Sequence, residues 1–522
     1  MRVGLDVGGT NTDAVLMDGR TVVAWTKRAT TADVRSGIED AVAALLDEVG
    51  SARTAIEAVM LGTTQFANAI VQRRGLARVG VIRLALPVGT AIPPLEDWPE
   101  ALREALEPVV REVHGGFEVI GVPVAPLDRE EILAAAREFR AAGIRDVAIT
   151  GVFAPMDDRQ EREAAAIVRE VIPAARVSLG SDIGSLGLLM RENACVLNAA
   201  LGDVAERVVD GFVEALRNRG VAAPVFLTQN DGTLMASALA KRYPVRTVGS
   251  GPTNSMRGAA AITGVRDCVV VDVGGTTSDV GVLVQGFPRP ATLQVSLAGV
   301  LTNFPMPDVF SMGLGGGSRV REEEGVVRIG PDSVGYALVR EALVFGGGET
   351  TLTDAAVAAG RLSLGERGRL PEGYDRAWGE RVVAAAARMV EDAVDRMKTH
   401  AGDVTAVLVG GGSPILPDRL EGVSEVLRPD HAQVANAIGA ALAQVGAEVD
   451  RVVDLEPAMR AERLGALERE VRERAREAGA DPARTEVVEV DQTPLAYMPG
   501  HQVRVRMRAV GDLSGSALAR PS

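Results

Sequence analysis

Aromatic residues are scarce, at 3% of a 522-residue chain, which argues against the stacking platforms that hold single-stranded nucleic acid. There are two cysteines, Cys195 and Cys268, each inside an apolar segment. A disulfide framework is excluded by count and a reducing compartment is the natural expectation. Each cysteine reads as a small buried residue rather than a reactive thiol. The four histidines, His114, His400, His431 and His501, show no metal-ligand spacing and have no cysteine partner. There is no nucleophile elbow and no Cys–His pair, so a covalent enzyme intermediate is not expected. Positive charge is in deficit: 56 Lys and Arg against 70 Asp and Glu leave a net charge of −14. That balance disfavours nucleic acid and anionic membranes as partners. No apolar run is long enough to span a bilayer, and no secretory signal precedes the first strand. The expectation is a soluble, cytoplasmic protein with neither nucleic acid nor membrane as a partner.

What the chain has in quantity is glycine, 58 residues, within a composition that is 47% apolar. This suits a globular protein of two or more domains, each with its own core. The glycines are patterned. Val270-Val271-Asp272-Val273-Gly274-Gly275-Thr276-Thr277-Ser278-Asp279-Val280 reads as a β-hairpin with a tight turn of small residues. Val3-Gly4-Leu5-Asp6-Val7-Gly8-Gly9-Thr10-Asn11-Thr12-Asp13-Ala14 repeats it at the start of the chain. Both copies place one Asp before the turn and a second Asp seven residues later. Successive backbone N–H groups in such turns converge on anions, phosphate above all. Two copies predict a duplicated fold with two phosphate loops facing each other across a cleft.

Matching units also close each half. Val225-Phe226-Leu227-Thr228 precedes Gly258-Ala259-Ala260, and Val407-Leu408-Val409-Gly410 precedes Gly439-Ala440-Ala441 at nearly the same separation. A proline-rich, poorly periodic stretch at 86–126 reads as an insertion in the first half. Leu197, Leu201, Val204, Val208, Phe212 and Leu216 predict one long helix from about Ser185 to Asn218. Beyond Asp450 a narrow stripe of Leu464, Leu467, Val471 and Ala475 is flanked by the pairs Glu468–Arg472 and Glu470–Arg474, each contributing roughly 0.3–0.5 kcal/mol; two strands follow. The expected organisation is a first half at 1–265, a second half at 266–447, and a small α+β region at 448–522.

Taken in order, Asp6-Val-Gly-Gly-Thr-Asn-Thr-Asp13, Gly62-Thr-Thr-Gln-Phe-Ala-Asn68, Gly249-Ser-Gly-Pro-Thr-Asn254, Asp272-Val-Gly-Gly-Thr-Thr-Ser-Asp279, Gly313-Leu-Gly-Gly-Gly-Ser318 and Val409-Gly-Gly-Gly-Ser-Pro414 resemble the motif series of the hydantoinase/oxoprolinase family. The match is to its ATP-using, hydantoinase A type of subunit, within the actin/hexokinase/Hsp70-like ATPase superfamily. The resemblance covers residues 1 to about 447. It implies an α/β fold of two duplicated ribonuclease H-like (actin-like ATPase) domains around a nucleotide cleft, with the α+β region appended. It also implies ATP and Mg²⁺ as cofactors, and ATP-dependent activation of a cyclic amide (a hydantoin, 5-oxoproline or a related lactam) by phosphorylation of its carbonyl oxygen for ring opening. A second subunit completing hydrolysis, and an oligomeric assembly, are implied with it. An ATP-dependent ketone carboxylase subunit, a small-molecule kinase, and an ATP-binding switch or scaffold remain alternatives.

On this reading Gly8, Gly9, Thr10 and Asn11 hold one side of a triphosphate, and Gly274, Gly275, Thr276 and Thr277 the other. Asp6 and Asp272 bind Mg²⁺, which prefers one or two carboxylates together with phosphate oxygens. Asp13 and Asp279 either handle protons or stabilise their hairpins. Gly410, Gly411, Gly412 and Ser413 contact adenosine or form a plain strand-to-helix turn. Gly315 and Gly316 lie in a loop near nucleotide or in a structural one. Ser250 and Asn254 begin a helix that offers N–H groups to an anion or packs tightly. Thr63, Thr64 and Asn68 face the substrate or cap a helix. Two departures from the family pattern, Asn11 in place of an aromatic residue and Leu61 in place of a histidine, bear on which substrate is used.

Overall fold

The computed structural model describes residues 1–8, 11–29, 34–49, 55–291, 294–323, 325–496, 498 and 500–515; Gly9 and Thr10 lie outside them. Two sheets repeat one topology. In the first half, Thr21–Ala29, Asn11–Asp18, Arg2–Val7, Ala58–Thr63 and Val225–Thr228 lie side by side in that order. The first three strands form an antiparallel meander, and the next two run parallel to Arg2–Val7. In the second half, Ser278–Val284 pairs antiparallel with Cys268–Val273, which is followed by Val404–Val409 and Val423–Leu427 in parallel. Its third strand is shared between Phe287–Pro288 and Val309–Met312, both antiparallel to Ser278–Val284. This is the duplicated ribonuclease H-like architecture that the resemblance implies.

Strand alternation decides what each face carries. Val269, Val271 and Val273 pack into one core with the helix Arg376–Met397, whereas Cys268 and Val270 pack on the other face against Met256, Ala259 and Ala435. Asp272 therefore points to the side of the helices Ser250–Thr263 and Ala435–Leu442. In the first half Val3, Leu5 and Val7 take the core, while a Cβ on Gly4 would stand 2.0 Å from the Ala437 carbonyl oxygen. Asp6 shares that face with Gly4. The two helices cross by way of glycine: a Cβ on Gly258 would fall 1.8 Å from Ala435 O, and one on Gly439 1.9 Å from Asn254 O. The matched Gly-Ala-Ala units of the sequence are thus the contact at which the two halves meet.

Three features exceed what the pattern shows. The stretch 86–126 supplies the helix Glu100–Leu106 and the strand Val109–His114 to a larger unit, a four-stranded parallel sheet ordered Val109–His114, Val79–Leu86, Asp146–Gly151, Arg176–Leu179. The long helix is two, Leu188–Ala200 and Gly202–Asn218. They meet where a Cβ on Gly202 would press to 2.4 Å from Asp146 Oδ1, so the chain bends onto the Asp146–Arg176 ion pair. The α+β tail, the helix Arg460–Ala478 with strands Val445–Asp454, Ala480–Pro494 and Gln502–Leu513, continues the first sheet through Leu234–Ala236, bringing it to nine strands. Both helix-face pairs form, Glu468–Arg472 at 2.9 Å and Glu470–Arg474 at 2.7 Å. No helix among the described residues is long and apolar enough to cross a membrane.

Candidate active site

Register converts the seven-residue spacing into geometry. Asp6 stands opposite Asp13 in the first hairpin, and Asp272 opposite Asp279 in the second. Both turns close with the same bond: Gly8 N–H donates to Asn11 O at 3.0 Å, and Gly274 N–H to Thr277 O at 2.9 Å. Each row gains a third member from the next strand, Lys27 opposite Asp13 and Ser311 opposite Asp279. Lys27 Nζ lies 2.6 and 2.7 Å from the two Asp13 oxygens and also donates to Gln433 O, in the second half, at 3.1 Å. The Ser311 hydroxyl donates to Asp279 Oδ1.

The inner aspartates are held crosswise. Asn436, on the last helix of the second half, donates to Asp6 Oδ2 at 2.7 Å. Ser255, on the last helix of the first half, donates to Asp272 Oδ2. Ser255 stands three residues before Gly258, and Asn436 three before Gly439, so both occupy one position in the duplicated helix. Small residues flank both carboxylates. A Cβ on Gly62 would lie 2.6 Å from Asp6 Oδ1; one on Gly410, whose φ is +83°, would lie 2.2 Å from Asp272 Oδ1. Asp6 is 5% exposed, and its Oδ1 makes no hydrogen bond within 3.5 Å among the described residues, with the Asn254 amide facing it.

Electrostatics follow from this crowding. Burial, then the charges of Asp13 and Asp272, push the Asp6 carboxyl up to about 7. Burial raises Asp272 as well, against the Ser255 hydroxyl and Lys27. Asp279 is pushed up to about 6 by burial, opposed by Ser311 and aided by Asp272. A cleft that disfavours its own negative charge this strongly is suited to receiving a cation.

The remaining predicted residues fall at five places. Gly274, Gly275 and Thr276 line the second turn half-buried, with Thr277 exposed, and Asn11 begins the second strand of the first hairpin. Gly315 and Gly316 pack behind that second turn: Gly316 N–H donates to Gly274 O at 3.0 Å, and a Cβ on Gly315 would meet Thr276 N at 2.6 Å. Gly410 lies against Asp272, Gly412 N–H donates to Val273 O at 2.8 Å, Gly411 approaches Lys27, and Ser413 is buried. Ser250 and Asn254 are buried; Ser250 Oγ and Asn254 Oδ1 have no hydrogen-bond partner among the described residues, while Asn254 Nδ2 donates to Thr228 Oγ1 at 3.1 Å. The hydroxyls of Thr63 and Thr64 serve the helix that follows them: Thr63 Oγ1 accepts from Gln65 N–H, and Thr64 Oγ1 accepts from Asn68 Nδ2.

Lys27, Ser255, Ser311 and Asn436 escape the sequence reading. Lys27 and Ser311 are visible only once strand register is known. Ser255 and Asn436 carried a signal, their equal offset from the paired helix glycines. The structure also gathers His114 with Asp128 and Glu131, their ligand atoms within 4.8 Å of one another. His114 bonds Glu131 at 2.9 Å, and Asp128 accepts from Glu131 N–H as the helix cap.

Residues 2–172 match the model described as the hydantoinase/oxoprolinase N-terminal region, and residues 191–369 the hydantoinase/oxoprolinase model. The chain belongs to the hydantoinase/oxoprolinase family. Within that family it is 28% identical over 393 residues to caprolactamase subunit alpha of Pseudomonas jessenii, covering 70% of this chain and 55% of that one. It is 27% identical over 398 residues to the acetophenone carboxylase gamma subunit of Aromatoleum aromaticum, covering 69% and 53%. The chain thus spans about half the length of these relatives. Among solved structures, the ATP-dependent caprolactamase from Pseudomonas jessenii superposes with a TM-score of 0.79 at 21% identity over 99% of this chain and 88% of that chain. A nucleotide-free acetone carboxylase superposes with 0.68 at 20% identity over 98% and 88%. Family proteins therefore include ATP-dependent lactam hydrolases and ketone carboxylases, on one fold.

Proposed function

We propose that the cleft between the hairpins binds ATP and transfers its γ-phosphoryl group to the carbonyl oxygen of a cyclic amide, activating the ring for opening. The observation that carries this is the crossed pair Asp6 and Asp272, each brought to a tight small-residue turn and each held from the opposite half. Phosphoryl transfer asks mainly for positioning and charge neutralisation. On this reading the turn at Gly274–Thr277 would receive one side of the triphosphate, and the matching turn whose described ends are Gly8 and Asn11 the other. Asp6, with a buried Oδ1 that makes no hydrogen bond within 3.5 Å among the described residues, and Asp272 fit a small hard cation and would hold Mg²⁺. When bound, that ion neutralises charge on the phosphate oxygens.

In the first step a bond forms between the γ-phosphorus and the amide oxygen, the bond to the β-phosphate bridging oxygen breaks, and ADP leaves. The amide N–H proton passes to a base. Asp279, whose carboxyl lies near 6, has the affinity for that role, since proton transfer works best near the operating pH. Water then adds to the carbon and the ring C–N bond breaks, the nitrogen taking both of the water's protons to leave as the amine, which yields an acyl phosphate; a second water hydrolyses that to the carboxylate and inorganic phosphate. The halves at 1–265 and 266–447 act as two jaws on this reading, with 448–522 bracing the first. Relatives named as subunits support a second polypeptide that completes hydrolysis, and the two buried free cysteines fit a cytoplasmic setting.

A second reading has its own support. Relatives named as acetophenone and acetone carboxylase subunits would use the same activation on a ketone enolate, with bicarbonate as the acceptor. The test is ATP consumption by the purified protein with Mg²⁺ against hydantoins, lactams, and ketones with bicarbonate, with and without the product of the adjacent gene. Stimulation by cyclic amides supports the first reading and stimulation by ketones the second. Turnover that no compound raises in either setting leaves an ATP-binding switch.

A further inference from the structure

A separate cluster of ligand groups stands on the four-stranded parallel sheet, apart from both hairpins. The strand Val109–His114 ends at His114, and the helix Arg129–Ala141 starts from its cap Asp128, with Glu131 in its first turn. Packing fixes where these residues stand. Val113 enters the core of this sheet together with Ile132, Ala135 and Phe139 of the helix. His114, next in the strand's alternation, is left half-buried beside the helix start. Two bonds staple the junction: Asp128 N–H donates to His114 O at 3.4 Å, and His114 N–H to Glu131 Oε2 at 2.9 Å.

Asp-x-x-Glu at a helix start follows the pattern of a capping box, in which the glutamate reaches back to the N–H of the cap residue. Half of the box forms: Asp128 Oδ1 accepts Glu131 N–H at 3.1 Å. The other half does not. Asp128 N–H is taken by His114 O, and the Glu131 carboxylate turns to His114 instead, its Oε1 2.9 Å from Nδ1. Capping therefore accounts for Asp128 and not for the pairing of Glu131 with His114. Nor does a basic side chain neutralise either carboxylate. Neighbouring Arg129 pairs with Glu170 and Arg111 with Glu138, and among the described residues neither Asp128 nor Glu131 meets a Lys or Arg within 4.0 Å.

One ring nitrogen and two carboxylate oxygens thus lie within 4.8 Å of one another, offered by two elements already fixed in place. In a tetrahedral site with bonds near 2.0 Å, ligand atoms stand about 3.3 Å apart. The Nδ1–Oε1 pair, at 2.9 Å, is close to that separation, and a side-chain rotation of Asp128 completes the set. We propose that His114, Asp128 and Glu131 bind a divalent transition-metal cation of the zinc class, with water at the fourth position. An imidazole ligand favours zinc over Mg²⁺, which takes oxygen. The ion replaces the Nδ1–Oε1 contact: the ring carries its proton on Nε2, and Glu131 Oε2 keeps the His114 N–H. Its effect is to tie the end of the strand Val109–His114 to the helix that follows. The inference stands on these three residues and requires neither ATP nor a lactam in the cleft.

Calorimetric titration of the metal-stripped protein with ZnCl₂ tests it, in excess MgCl₂ so that all-oxygen sites such as the cleft are already filled. Among the described residues His400, His431 and His501 join no comparable group, so one imidazole-bound equivalent of zinc is expected. His114→Ala should weaken that equivalent at least about tenfold, since even groups that only orient a metal ligand are worth about 10–100-fold in affinity. Co²⁺ in place of zinc should give the intense visible absorption of a four-coordinate ion, and His114→Ala should lose it. No zinc uptake in excess Mg²⁺, uptake unchanged in His114→Ala, or only the weak absorption of six-coordinate Co²⁺ overturns the proposal. Should His114→Ala fail to fold, Glu131→Gln keeps an oxygen for the His114 N–H while removing the ligand's charge. A loss of about tenfold is expected there, and unchanged zinc affinity overturns the proposal equally.

Discussion

The two hairpin rows share backbone register and differ in their third residue. In the first half the outer aspartate, Asp13, meets a lysine in a two-pronged ion pair; in the second, among the described residues, the side-chain partner of Asp279 is the Ser311 hydroxyl. The inner aspartates remain alike, each beside a residue without a Cβ and each bonded from the other half's closing helix. The inner pair is thus symmetric. The outer pair differs: one row is clamped across the halves by Lys27, and in the other a hydroxyl alone faces a carboxyl that burial pushes up to about 6.

If the inner pair acts jointly, breaking either member should abolish turnover. Asp272→Ala and Asp6→Asn are each expected to lower ATP consumption by at least about 100-fold, the scale seen when one charge-stabilising group is removed from an active site. The melting temperature should hold in both, since each removes a carboxylate that burial already penalises. Near-normal turnover in one and loss in the other would show that the jaws are not equivalent.

The flanking glycines sharpen the same comparison on stability. Gly410→Ala suffers a left-handed backbone, roughly 1–2 kcal/mol, on top of overpacking against Asp272, roughly 1–3 kcal/mol. Gly62→Ala suffers only the overpacking, against Asp6 and Asn254. Urea denaturation should rank Gly410→Ala as the more destabilised; equal losses would mean that backbone strain contributes nothing in the second half.

The aspartate spacing was legible in the sequence because a hairpin turns a fixed separation into a cross-strand pair, and a repeat makes the pair recognisable. The glycine of each closing helix was legible for the same reason. Lys27 and Ser311 were not: they join their rows through a strand whose register depends on a bulge at Leu16/Met17 in one half and on a third strand split between two segments in the other. The nine-stranded sheet was hidden too. The tail reaches it through the single residue pair Leu234–Val445, and no local pattern announces a pairing made across more than 200 residues. The packing of Gly315 and Gly316 was not legible either: a glycine-rich loop shows no partners by composition, and here Gly316 and Gly317 N–H donate to Gly274 O and Gly275 O of the second turn while Gly315 N–H donates to Ser318 Oγ.

Removing the third residue of each row tests the divergence itself. Lys27→Met strips the partner from Asp13, which is 2% exposed. Because Lys27 is itself partly solvated, the cost should fall below the 3–5 kcal/mol of a fully buried pair, at about 2 kcal/mol. It should also loosen the contact with Gln433, read as faster amide exchange at 433–436. Ser311→Ala removes one hydroxyl donor and should cost about 1 kcal/mol. A larger loss for Ser311→Ala would reverse the assignment of clamp and free row.

The smallest effect carries the sign that separates the rows. Asp279 titrates from an ordinary value of 3.8 to about 6 on folding, so between those limits the folded protein binds more protons than the unfolded chain. Stability from this group is full below about pH 3.8 and is lost as pH rises through about 6. Asp279→Asn cannot lose it. The variant should match the wild type near pH 3.5 and melt higher than the wild type at pH 7, with the difference opening between those values. Ser311→Ala, which keeps the carboxyl but removes its donor, should steepen the wild-type fall, because the donor had been opposing the upward shift. A pH-independent difference between Asp279→Asn and wild type would show that folding does not shift this carboxyl, and would remove the reason for choosing it as the proton acceptor.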